Sequence, residues 1–267
     1  MSTSSKLKMY QIDAFTEKVF GGNPAAVCVL DQWIDVDLMQ NIAAENNLAE
    51  TAYVVQTGPD TYNIRWFTPT VEVDLCGHAT LASAYTLFKH YDYPTDKINF
   101  QSQASGSLSV TKKGDNLTLD FPTDIVEKVD TPKVLIEAFG ITPIETYKGK
   151  TDHVLVYETQ RKVENAIPNL ELIKASGGRG VIITAPGNEV DFVSRFFGPQ
   201  VGVDEDPVTG SAHTTLTPIW AEKLGKNLLT AQQLSKRKGD LICELKGDRV
   251  KITGKAITYM IGEIIIS

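Results

Sequence analysis

The 267-residue sequence lacks several things that would settle its class at once. No run approaches the ~20 apolar residues of a membrane span, and the opening MSTSSKLK passes into a strand-like stretch without an apolar core, so no secretory leader is expected. Cysteine is sparse: Cys28, Cys76 and Cys243 make an odd, widely spaced set, which excludes a disulfide framework and fits a reducing cytoplasm. The histidines, at 78, 90, 153 and 213, never fall at short ligand spacing, so no metal is expected. Neither a strand followed by GxGxxG nor GxxxxGK[ST] occurs. Gly177-Gly178-Arg179-Gly180 precedes its strand, the wrong order for a dinucleotide, so no nucleotide cofactor is expected. The serine of Thr209-Gly210-Ser211-Ala212-His213 is not set in the GxSxG elbow of a hydrolase. Positive charge is also short, 26 Lys and Arg against 33 Asp and Glu. A net charge of -7 works against phosphate attraction, and the densest basic patch, Lys236-Arg237-Lys238, reads as solvated surface, so no nucleic-acid partner is expected.

What is present suits a soluble globular chain. With 42% hydrophobic and 22% charged residues, neither disorder nor a fibrous class is supported, and the length suggests about two domains. Asp35 caps a helix with Leu38, Ile42 and Ala43 at helical spacing. Thr51–Val55 and Tyr62–Phe67 flank Gly58-Pro59-Asp60 as a hairpin, and Gly77 opens a helix of small residues running to about His90. Pro122, Asp124 and Pro132 mark a boundary, placing one domain at 1–122 and another at 123–267, with the last strand, Ala256 to Ile266, free to return to the first. Beyond the boundary, Thr131-Pro132 reads as N-cap and first position of a short helix that Gly140 closes. A helix runs from Gly210 to Leu224 with Gly225 as its stop.

The two halves repeat. RWFTPTVEVD at 65–74 and RFFGPQVGVD at 195–204 share six of ten residues without a gap, and the preceding hairpins and following small-residue helices superpose on the same offset. Few helices remain to cover the strands. A fold of class α+β follows, with two pseudo-symmetric domains, each a curved, barrel-like, mostly antiparallel sheet around a central helix close enough for small residues only.

Chemistry concentrates where the halves diverge. The first ribbon continues Leu75-Cys76-Gly77-His78-Ala79-Thr80, and the second Glu205-Asp206-Pro207-Val208-Thr209-Gly210-Ser211. Each sets a glycine at a helix start, where free N–H groups and the helix dipole attract anions; a bare tight turn would use the same glycines. Glu50 opens an apolar strand in NLAETAYVV, and its counterpart in the second half is Gly180, so the repeat breaks at a carboxylate. His78 follows the first cradle's glycine, and Asp206 enters the second. Acidic groups from opposite halves suit proton movement on carbon, one removing and another returning.

FGGNPAAVCVL, NLAETAYV, DLCGHATLASA and GVDEDPVTGSAH, in this order and spanning most of the chain, resemble the PhzF-like family of phenazine biosynthesis, which shares the diaminopimelate epimerase fold. The resemblance implies an active site between two similar domains, no cofactor, a small carboxylate as substrate and frequently a homodimer. It implies that Glu50 is the acid/base of an isomerisation, that His78 and Asp206 assist, and that Ser211 holds substrate. Gly77 and Gly210 supply backbone donors in the same comparison, and Asn23 of the GNP segment borders the pocket. Family members often carry serine before the glutamate; this chain has Ala49. The epimerase relatives oppose two cysteines, whereas here Cys76 has no thiol counterpart; it reads as a small buried hydrophobe, with a pocket-lining thiol as the second reading. An amino-acid epimerase or a non-catalytic binder of small carboxylates stand as alternatives.

Overall fold

Residues 77–90, GHATLASAYTLFKH, form a helix that is buried continuously from His78 to Ala84 and again at Thr86 and Leu87. Small side chains permit this, since a helix buried all round must lie inside a core. The hydroxyls of Thr80, Ser83 and Thr86 need no outside partner: each donates to the carbonyl four residues back, at 2.6, 2.7 and 2.9 Å.

The computed structural model that contains this helix describes residues 5–266; residues 1–4, part of the segment read for a leader, lie outside the described residues. The chain groups into two units, Met1–Asp120 with Thr253–Ser267, and Phe121–Ile252. In the first, β1 (Ser5–Ala14) pairs antiparallel with β2 (Asn23–Leu30), α1 (Val36–Asn46) follows, and β3 (Glu50–Gly58) lies parallel to β2. β4 (Thr61–Phe67) returns antiparallel to β3 and carries β5 (Glu72–Val73) on its far end. After α2 (Gly77–His90), β6 (Lys97–Ser102) runs parallel to β4, and β7 (Gly106–Lys113) and β8 (Asn116–Pro122) extend the sheet antiparallel. α2 packs against β1, β2, β3 and β7.

The second unit repeats that plan. β9 (Glu127–Lys128), α3 (Lys133–Phe139), β10 (Glu145–Lys148), β11 (Asp152–Val156), α4 (Gln160–Glu164) and α5 (Leu170–Ala175) lead to β12 (Gly180–Pro186), which is parallel to β11 as β3 is to β2. β13 (Phe192–Gly198) and β14 (Val203–Asp206) follow antiparallel, and after α6 (Gly210–Leu224), β15 (Leu228–Gln233) lies parallel to β13 and antiparallel to β16 (Gly239–Lys246). Register repeats as well: Thr51 faces Phe67 in one unit and Val181 faces Phe197 in the other, an offset of 130 on both strands. β17 (Arg249–Gly254) precedes the C-terminal β18 (Ala256–Ile266), which pairs with β1 from Ala14 to Ser5. That ladder is why the second unit ends at Ile252, while the other division falls at 120/121, two residues before the boundary at 122/123 read from the prolines.

One cap differs from expectation. α3 begins at Lys133 with Pro132 at the cap position and no side-chain cap; the Thr131 hydroxyl is engaged instead with that of Thr146 on β10, 2.6 Å away. Among the described residues, no helix is long and apolar enough to cross a membrane.

Candidate functional site

Three element starts meet in the first unit. Gly22 turns the chain between β1 and β2 with φ +60°, and a Cβ there would lie 2.1 Å from the Ala14 carbonyl oxygen, so only glycine fits. This corner delivers Asn23 to the first position of β2. Because β2 and β3 are parallel, with Ala25 opposite Glu50, the start of β3 lies beside it. The first turn of α2 brings His78 to the same place.

The imidazole of His78 is 5% exposed and joins the others. Its Nε2 stands 3.0 Å from Glu50 Oε2, while Asn23 Nδ2 and Cys76 Sγ approach its Nδ1 at 3.2 and 3.4 Å. The Glu50 contact is off the line of a hydrogen bond, and neither Oε2 nor Nε2 has another polar partner. In the neutral ring the Asn23 NH2, which can only donate, makes Nδ1 the acceptor and leaves the proton on Nε2, facing Glu50; a second proton goes on Nδ1 and needs the amide to turn its oxygen there. Burial by itself disfavours the imidazolium; negative charge on Cys76 or Glu50 favours it, and the balance lies well above the ordinary histidine value. Burial pushes the Cys76 thiol up to about 11. The thiol is therefore neutral near pH 7, and the Glu50 carboxylate is the charge that favours a second proton on His78.

Glu50, Cys76 and His78 offer donor atoms within 4.8 Å of one another, a set that sequence spacing did not suggest. Since Sγ faces one ring nitrogen and the carboxylate the other, the imidazole stands between them. That arrangement passes a proton more readily than it chelates one ion. The Cys76 side chain makes no capping bond to the backbone at the start of α2, which leaves the first N–H groups at Gly77 and His78 open to an anion.

The second unit holds Asp206, Gly210 and Ser211. Asp206 ends β14, and its Oδ2 accepts the Thr209 hydroxyl at 2.5 Å. Gln233, fully buried on β15, fixes this turn by accepting the Thr209 N–H at 2.8 Å and donating to the Asp206 carbonyl at 2.7 Å. The α6 N-terminus, like that of α2, has no side-chain cap. Arg179 donates from Nη1 to Ser211 Oγ at 2.8 Å and pairs through Nε and Nη2 with the buried Asp152. Gln233, Arg179 and Asp152 were not singled out by sequence; each reaches its partner across 24 to 32 residues, and no local pattern marks them. Thus Asn23, Glu50, Gly77 and His78 gather in one unit, and Asp206, Gly210 and Ser211 in the other.

Comparisons with known proteins bear on both sets. A family model described as phenazine biosynthesis-like protein matches residues 12–262. A Pseudomonas aeruginosa protein described as an uncharacterized isomerase is 49% identical over 259 residues, covering 97% of this chain and 99% of that protein. The crystal structure of a PhzF-family phenazine biosynthesis protein from Enterococcus faecalis superposes with a TM-score of 0.94 at 46% identity, covering 97% and 99% of the two chains. A hydroxyproline epimerase from Agrobacterium vitis, at 10% identity and a TM-score of 0.63 over 97% of this chain and 92% of that one, shares the fold.

Proposed function

We propose that this chain, which belongs to the phenazine biosynthesis-like protein family and is an isomerase, moves a proton on carbon of a small cyclic or unsaturated carboxylate, without a cofactor. The observation that carries the reading is the pairing of Glu50 Oε2 with His78 Nε2, 3.0 Å apart, buried, and without other polar partners. A carboxylate so placed is oriented but not saturated. It has capacity left for a substrate proton.

In the proposed sequence the Glu50 carboxylate takes a proton from carbon next to the unsaturated system, and the electron pair passes into the conjugated carboxylate. The protonated Glu50 then returns the proton to a different carbon, so one C–H bond breaks, another forms, and nothing is gained or lost. His78 keeps the carboxylate in place by the 3.0 Å approach of its Nε2 to Oε2, and Asp206 assists the return. The open N–H groups at Gly77 and Gly210, with the Ser211 hydroxyl, hold the anionic groups. Cys76 takes no part as base: its thiol, pushed up to about 11, stays protonated where the Glu50 carboxylate is available.

Heavy water tests the reading. Candidate cyclic and amino carboxylates are incubated with the protein in deuterium oxide; a rearranged product should form, with deuterium at the new C–H to the extent that the Glu50 proton exchanges with solvent before its return. Glu50→Gln should lose on the order of 10²–10⁴ in rate. Turnover near wild type by that variant would end the assignment. Inversion at one carbon with no bond migration would mean an epimerase instead.

A further inference from the structure

We infer that the second unit carries a subsite for an oxyanion, a carboxylate or phosphate group of a small molecule, built on Arg179 with Ser211, Lys148 and Lys150. This deepens the proposed function and rests on Ser211 belonging to the substrate site. A cavity of about 680 Å³ is lined by these four residues together with Thr214, Asp124 and Asp152. That volume is of the size that takes a small molecule.

Arg179 is fixed before any ligand arrives. Its Nε donates to Asp152 Oδ1 at 3.0 Å and its Nη2 to Oδ2, on a carboxylate that is 1% exposed. Its backbone N–H binds the Thr151 carbonyl at 2.8 Å, and its guanidinium lies 5.1 Å from the centre of the Phe196 ring. Gly180 makes that stacking possible: a Cβ there would sit 2.5 Å from Phe196 Cζ. A guanidinium held flat and immobile on one side, with N–H groups left over on the other, is pre-organised for a second planar acceptor.

The other groups are donors as well. Ser211 Oγ already accepts from Arg179 at 2.8 Å, so its own proton is free to go to another acceptor. The α6 N-terminus beside it has no side-chain cap. Among the described residues, the ammonium groups of Lys148 and Lys150 make no hydrogen bond or ion pair. The nearby carboxylates are engaged instead: Asp152 by Arg179, and Asp124 by the Thr215 hydroxyl at 2.9 Å and the Lys150 N–H at 3.2 Å. Glu127, exposed on β9, is the lining carboxylate left over. Unused donors outnumber unused acceptors, and the ligand that balances them is an anion.

The test is an NMR titration of the full chain with benzoate in one arm and inorganic phosphate in the other. Saturable one-to-one binding should appear, with shifts confined to the amides of residues 210–212 and the Arg179 side-chain N–H; the tighter arm names the anion. Removing Arg179 alone would strand the buried Asp152 charge and could unfold the unit, so the informative variant is the double Asp152→Asn, Arg179→Gln. Its affinity should fall at least tenfold. A double variant that binds both anions as tightly as wild type, or shifts scattered over the surface, overturns the inference. Glu50→Gln should retain this binding while losing deuterium exchange, so failure here and failure of the proposed function are separable.

Discussion

Glu50 Oε2 and His78 Nε2 lie 3.0 Å apart with Asn23 Nδ2 facing the opposite ring nitrogen at 3.2 Å, so the imidazole is held between an acceptor and a donor. Its protonation then reports on the carboxylate. In wild type the His78 midpoint should lie above 6.5, because negative charge beside it overcomes burial. In Glu50→Gln it should drop, since burial then acts with less opposition. The sign for stability follows: a raised histidine contributes fully below its unfolded value of about 6.5, and that contribution is lost as pH rises through the folded midpoint. Nitrogen-15 NMR of the ring reads the midpoint directly. An unchanged midpoint in the variant would show that Glu50 is not the partner.

Asn23 is expected to set the tautomer. Replacing it by alanine removes the donor from Nδ1, so the ring proton is no longer confined to Nε2, and the rate should fall roughly tenfold, the worth of about one buried hydrogen bond. Because the amide acts through His78, kcat should fall while KM changes little. Ring nitrogen shifts would show whether the tautomer ratio moves with the rate.

Gln233 is a stability prediction as much as a functional one. Gln233→Ala strands the buried Thr209 N–H, at about 1–3 kcal/mol for a buried group left unpaired, and takes one donor from the half-buried Asp206 carbonyl. Thermal denaturation should show a clear fall. Activity should fall further than stability explains, because the same amide sets where the Asp206 turn lies. A variant as stable as wild type would mean that water replaces the amide in that turn.

How much of this could be read from the chain alone follows the range of the forces involved. α6 was legible to its ends, Gly210 and Leu224, because a positive-φ glycine at 225 stops it and small residues mark it as buried. The offset of 130 was legible because hairpin turns carry their own chemistry. Thr131 differs: as a lone cap it obeys a local rule, but the hydroxyl of Thr146 on β10 outcompetes that rule. Glu50, His78 and Asn23 could be nominated from their segments, yet the ring nitrogen each partner would face depends on three elements meeting. Arg179 lies in a glycine-rich stretch whose order does not fit a dinucleotide, and its reach to Ser211 across 32 residues leaves no mark in that local pattern.

His213 gives an acid-sensitivity prediction outside the proposed chemistry. It is fully buried in α6, its Nδ1 donates to the Thr209 carbonyl at 2.8 Å, and its Nε2 has no partner. Burial therefore pushes it down to about 4, against some opposition from the Thr209 carbonyl. The unfolded chain takes up a proton near pH 6.5 that the folded one refuses, so stability should decline as pH falls from about 6.5 to about 4, by an upper figure of roughly 3 kcal/mol. His213→Gln should be less stable near pH 7.5, where it loses ring packing beside Phe192, but its stability should change less across that acid range. Because the chain has two units, hydrogen exchange of the α6 amides is a better readout than a single melting curve. Equal acid slopes in wild type and variant would mean that other groups set the slope, and that His213 escapes its proton by local opening of the helix.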